Sequence, residues 1–154
     1  MLIRIYLDTS VIGGCFDDEF SSWSKKLFHE FDDRKKIAVI SDLTLEELEG
    51  APSPVKVLPH RIPEYARELV NFGDEAEVLA KEYIRQRVVT TLHLADAQHI
   101  AIATVERVDV LVSWNFKQIV NLNKIHLFNS VNLKLGYPVL EIRSPREVLD
   151  EKEI

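Results

Sequence analysis

The chain has 154 residues, a formal net charge of −6 and one cysteine, Cys15. That length suits one compact domain spanning residues 1–154. A single cysteine excludes an intramolecular disulfide and a metal–thiolate cluster, as expected of an intracellular protein. The acidic balance argues against a nucleic-acid binder that works by bulk phosphate neutralisation, so any such contact must be local, metal-bridged or supplied by a partner.

The first residues read as a strand, not as a basic stretch followed by an apolar one, and no apolar run approaches the ~20 residues that span a bilayer. A soluble, cytoplasmic protein with no membrane segment is the expectation. Basic clusters at Lys25-Lys26, Arg34-Lys35-Lys36 and Arg85/Arg87 read as solvated helix ends or faces.

Residues 2–7 (LIRIYL) form a strand that stops at Asp8-Thr9-Ser10. After Gly13-Gly14, Trp23, Leu27, Phe28 and Phe31 recur at helical spacing over residues 20–31. Residues 37–40 (IAVI) read as a strand buried on both faces, followed by a helix over 43–49. Residues 51–63 carry four prolines, which excludes one continuous helix and reads as a loop with an extended piece. Helices are then expected over 63–71 and 74–87 with Gly73 between them, and over 94–107. Residues 110–113 (VLVS) are a second buried-type strand, and a helix over 121–135 ends at Gly136. A last strand covers 139–142, and Ser144-Pro145-Arg146-Glu147 has the pattern of a capping box with proline at the first helical position. Short apolar strands alternating with helices define an α/β fold, a three-layer sandwich around a mainly parallel sheet. In such folds the working site lies beyond the carboxyl ends of the strands.

Four side chains stand out against that rule. Asp8 follows the first strand directly, although Asp before Thr-Ser is also an ordinary N-cap. Glu47 lies in the helix after the second strand, although Thr44-Leu45-Glu46-Glu47 also matches a capping box. Asp96 shares a helical face with Leu92, Ile100 and Ala103, where a carboxylate loses hydration unless it is paired, capping or bound to a cation. Asn115 follows the strand at 110–113, and its amide oxygen suits a hard cation while its amide suits a phosphate.

Together these segments resemble the PIN-domain family over nearly the whole chain. Tyr6-Leu7-Asp8-Thr9-Ser10 resembles its opening motif, and residues 41–48 (SDLTLEEL) its second, with the acidic position at Glu47 and not Glu46. Residues 95–101 (ADAQHIA) resemble the third motif and 112–116 (VSWNF) the last, where Asn115 stands at a position often held by aspartate. The resemblance implies a ribonuclease similar to VapC-type toxins, with Mg²⁺ or Mn²⁺ held by Asp8, Glu47 and Asp96. It also implies RNA cut to a 3′-hydroxyl and a 5′-phosphate, an antitoxin partner and a homodimer using the helices after the proline-rich segment. No histidine base is required, so His99 reads as a neighbour one turn from Asp96, while Ser10 and Ser113 orient water or phosphate around the site. Asn115 reduces the carboxylates from four to three, which favours one cation over two. Asp109 precedes its strand and is expected at the far end. A non-catalytic PIN-like scaffold binding RNA or protein is the alternative. A haloacid-dehalogenase-type hydrolase lacks its second aspartate at Ser10, and Gly13-Gly14 offers no dinucleotide fingerprint.

Overall fold

A computed structural model describes residues 1–150. Five strands, β1 (Ile3–Leu7), β2 (Lys36–Ser41), β3 (Arg67–Val70), β4 (Val110–Val112) and β5 (Glu141–Arg143), lie in the order β3-β2-β1-β4-β5. Every pairing is parallel. The chain builds outward from β1 to β2 and β3, then crosses back to place β4 and β5 on the other side. A crevice at this switch point opens between the carboxyl ends of β1 and β4.

Alternation along the strands explains the three layers. Tyr6, Val39, Leu111 and Ile142 face a core shared with α6 (Asp74–Arg85), α7 (Leu94–Val105) and α8 (Leu122–Lys134). Ile5, Leu7, Ala38, Ile40, Val110 and Val112 face the opposite layer, where α2 (Ser21–Asp32) contributes Leu27 and Phe31. Both faces being covered is why these strands read as unbroken apolar runs.

The expected helix over 63–71 is replaced by a turn of 3₁₀ helix, Glu64–Ala66, and the edge strand β3. Arg67–Val70 pairs with Ala38–Ser41, and a four-residue strand has too few positions to show a period. Leu69 at this edge is 62 % exposed, so half of the alternation is not apolar burial at all. The proline-rich segment holds no extended piece. It forms two single-turn helices, α4 (Ser53–Lys56) and α5 (Leu58–Arg61), each with a proline in its first turn, where the missing N–H is harmless. The last strand begins later than expected, at Glu141, and α8 ends ahead of Gly136, whose φ of 86° makes the left-handed turn. The Ser144–Glu147 capping box forms and opens a 3₁₀ turn, Pro145–Val148.

Gly14 has a different task. A Cβ there would lie 2.7 Å from Trp114 Nε1 and 2.8 Å from Ser24 Oγ. Only glycine lets the turn after α1 (Thr9–Gly13) press against the indole, whose Nε1 donates to Ser24 Oγ at 2.9 Å.

Candidate active site

Asp8 occupies the N-cap position of α1 but makes no side-chain capping bond. Its carboxylate turns into the crevice instead, where Oδ2 accepts from Ser10 Oγ and Ser113 Oγ, both at 2.7 Å. Those hydroxyls are themselves held by the next loop: Trp114 N donates to Ser10 Oγ and Asn115 N to Ser113 Oγ, both at 2.9 Å. Asp8 N donates to Val112 O at 3.1 Å, which ties β1 to β4 at the same level. Ser10 and Ser113, expected to orient water or phosphate, orient Asp8.

Glu47 closes α3 (Asp42–Glu47). The capping box expected at Thr44 does not form, because the helix starts earlier: Ser41 is the N-cap and accepts from Thr44 N at 3.1 Å. The Glu47 carboxylate is thereby free to reach across to α1 and α7. Its Oε1 accepts from Thr9 Oγ1 at 2.5 Å and lies 2.6 Å from His99 Nε2. Glu46, one residue earlier, makes no side-chain hydrogen bond or ion pair among the described residues.

Asp96 sits in the first turn of α7 and partly buries its carboxylate. The apolar face expected around it is interrupted, since Leu92 belongs to a preceding 3₁₀ turn, Thr91–His93, and is 86 % exposed. Asp96 Oδ2 instead lies 3.6 Å from His93 Nδ1. Burial and the charge of Asp8 push its acid above the ordinary carboxylate range, with Glu47 adding to the effect and His93 and His99 opposing it.

His99 is the hub. Its ring is buried, with Nδ1 2.6 Å from Tyr6 Oη and Nε2 against Glu47 and 3.7 Å from Asp8 Oδ1. Tyr6 Oη is in turn 2.7 Å from Ser41 Oγ, so one buried chain of polar groups joins β1, β2, α7 and α3. Burial works against the charged imidazole, but the Glu47 hydrogen bond and the charges of Asp8, Glu47 and Asp96 outweigh it and raise the His99 pKa. Reciprocally, burial lifts the Glu47 acid while its bond to His99, the imidazolium charge and Thr9 Oγ1 bring it below the usual range. His99, expected beside Asp96 as a supporting residue around the carboxylates, contacts Tyr6, Glu47 and Asp8. Tyr6, Thr9 and Ser41 were not readable as site residues, because each acts across elements, although a tyrosine on a strand buried on both faces must find a partner for its hydroxyl.

Asn115 does not present its amide oxygen to the crevice. Oδ1 accepts from Lys117 N at 3.2 Å and Gln118 N at 2.9 Å, which uses both lone pairs. The amide oxygen expected to suit a cation is thus taken up in capping the turn after β4, while the backbone N of Asn115 holds Ser113. Asp109 lies at the far end, accepting from Arg4 N at 2.7 Å.

The donor set can be tested against a cation. Asp8 Oδ1, Glu47 Oε2 and both Asp96 oxygens accept no hydrogen bond within the described residues, and all are hard oxygen donors. No three His, Cys, Asp or Glu side chains among the described residues are close enough to share one ion. That spacing is incompatible with a closed protein cage. It leaves room for a hard cation held by one or two carboxylates, with water in its remaining positions.

An open parallel sheet in this order, with carboxylates gathered at the switch point, is a VapC-like PIN-domain fold. The structure is similar to that of VapBC2 from Rickettsia felis bound to a DNA fragment from their promoter, with a TM-score of 0.56 and 14 % identity over 92 % of this chain and 98 % of that one. It is equally similar to VapC20 of Mycobacterium tuberculosis, a sarcin–ricin-loop-cleaving toxin, with a TM-score of 0.56 and 12 % identity over 88 % of this chain and 98 % of that one. No protein-family model and no curated protein sequence matches the chain. No helix of the described residues is long and apolar enough to cross a membrane.

Proposed function

We propose that this chain is a Mg²⁺- or Mn²⁺-dependent endoribonuclease that acts as the toxin of a toxin–antitoxin pair. The observation that carries the reading is the meeting of Asp8 and Glu47, from different elements, at the imidazole of His99, with Asp96 one turn before that histidine on α7. Carboxylates near one another at partial burial oppose one another, and Asp8 and Glu47 both raise the acid of Asp96. Such a group persists where a cation relieves it in use.

Asp8, Glu47 and Asp96 would hold the ion partly through bound water, since no three side chains among the described residues are close enough to ligate it directly together. When bound, it supplies charge neutralisation at a phosphate and water of lowered pKa. The protein's part is orientation. Ser10 and Ser113 fix the Asp8 carboxylate, and Thr9 with His99 fixes Oε1 of Glu47, which leaves Oε2 without a hydrogen bond among the described residues. In the reaction a water attacks phosphorus in line with the departing 3′ oxygen, which takes a proton and leaves as a 3′-hydroxyl opposite a 5′-phosphate.

The likeness to VapBC2 supports an antitoxin as protein partner, and a homodimer belongs to the same reading. The non-catalytic scaffold draws on one observation, the lack of a three-ligand cage. Incubation of the protein with RNA and Mg²⁺ or Mn²⁺, with and without EDTA, separates the two. Metal-dependent fragments ending in 3′-hydroxyl support the nuclease, whereas 2′,3′-cyclic ends formed in EDTA would overturn the mechanism.

A further inference from the structure

A cleft of about 500 Å³ opens between the end of α6, the turn before α7 and the start of α8. Arg87, Thr90, His93, Gln118 and Lys124 supply its polar lining, and no carboxylate lines it. In a chain of net charge −6, an uncompensated cationic recess next to an acidic pocket needs an explanation. His93 belongs to both, because it lines the cleft and approaches Asp96 at 3.6 Å.

Two details indicate that the cations are held ready for an external anion. Lys124 Nζ donates to one backbone carbonyl, Val88 O, at 2.6 Å, and has no carboxylate partner among the described residues. Arg87 is the more telling. It sits just past the end of α6 with φ of 63°, in the left-handed turn closed by Arg87 N to Ile84 O and Val88 N to Tyr83 O. Glycine is the usual residue there, since a side chain is disfavoured in that conformation. Arg34 ends α2 with the same turn, and its guanidinium covers the Tyr65 ring at 3.8 Å. Arg87 has no such contact: its exposed side chain makes no hydrogen bond, ion pair or ring contact among the described residues.

We infer that this cleft binds the phosphates of a single-stranded RNA flanking the scissile bond, with Arg87 and Lys124 as the contacting cations and Gln118 and Thr90 as neutral donors. The inference rests on the ribonuclease reading and adds to it a place for the substrate backbone. It also explains how an acidic protein reaches RNA: the attraction is local, set to one side of the carboxylates, and does not require a basic surface.

The test is binding of a fluorescently labelled single-stranded RNA to the full chain in EDTA, followed by anisotropy across a salt series. Each neutralised phosphate contact should remove about 0.7 from the slope of log affinity against log salt. Arg87→Gly with Lys124→Gln should therefore lower the slope by about 1.4 and weaken binding roughly tenfold or more. Arg87→Gly alone should melt at or above the parent temperature, because glycine suits the left-handed turn, so its loss of affinity cannot be ascribed to unfolding. Lys25→Gln with Lys26→Gln, on another element, should change neither slope nor affinity. If the cleft variants bind as the parent does while the parent cleaves RNA, the cleft assignment fails and the nuclease stands. If the parent neither binds nor cleaves RNA, both fail. Loss of binding to a polyglutamate peptide with RNA affinity intact would assign the cleft to an acidic protein and likewise overturn the inference.

Discussion

His99 Nε2 lies 2.6 Å from Glu47 Oε1, so a buried imidazole on α7 grips the carboxylate that ends α3. With both ring nitrogens protonated, Nε2–H donates to Glu47 and Nδ1–H to Tyr6 Oη, and the positive ring offsets the carboxylates around it.

A pH dependence of stability follows. A group whose folded-state pKa is raised contributes stability that is complete below its unfolded value, ~6.5 for imidazole, and is lost as pH rises through the folded value. The metal-free protein should therefore lose melting temperature as pH climbs above ~6.5. Asp96, also raised, has the same sign but titrates from ~3.9 upward, and Glu47, lowered, loses its contribution as pH falls below ~4.3. Melting curves of parent and His99→Gln in EDTA check this: the variant should show a flatter profile above ~6.5. Parallel profiles would mean that His99 is neutral throughout.

Neutralising Asp8 should act in two directions. Asp8→Asn removes a charge that raises the Asp96 acid, so the Asp96 pKa should fall, as followed by carboxyl carbon NMR. Mg²⁺ should stabilise the parent by about 2.7 kcal/mol at a hundredfold excess over its dissociation constant, and Asp8→Asn by less. Equal stabilisation of the two would remove Asp8 from the cation site.

The register of α3 distinguishes two adjacent glutamates. Glu47→Gln should abolish RNA cleavage, because that carboxylate meets Thr9 and His99, whereas Glu46→Gln should retain near-parent rates. Inverted results would require the helix to turn by one residue.

Gly14→Ala tests the support beneath the site loop. The added methyl would fall 2.7 Å from Trp114 Nε1 and must displace the indole or the turn, at a cost of about 1–3 kcal/mol in denaturant unfolding. Stability within ~0.5 kcal/mol of the parent would show that this contact relaxes freely.

The places of Asp8 and Asp96 in the fold were legible because element ends are visible in sequence: Asp8 closes an apolar run, and the ADAQHIA segment marks the start of α7. The fold class followed from strand–helix alternation. What sequence could not show was contact across elements. Nothing near Tyr6 announces that its hydroxyl meets His99, ninety-three positions away. Strand β3 escaped for a local reason, since Arg-Glu-Leu-Val is a good helical tetrapeptide that becomes a strand only because the edge of β2 is open to pair it. Asn115 was read by chemical capability, and the tight turn after β4 claimed that capability for its own backbone.

The most direct test of the central claim is RNA cleavage by the purified protein across a Mg²⁺ titration, beside Asp8→Asn, Glu47→Gln and Asp96→Asn. The account predicts cleavage that rises with Mg²⁺, stops in EDTA and is lost in each of the three variants while their folds persist by circular dichroism. Undiminished cleavage by Asp96→Asn, or cleavage indifferent to the metal, would contradict it.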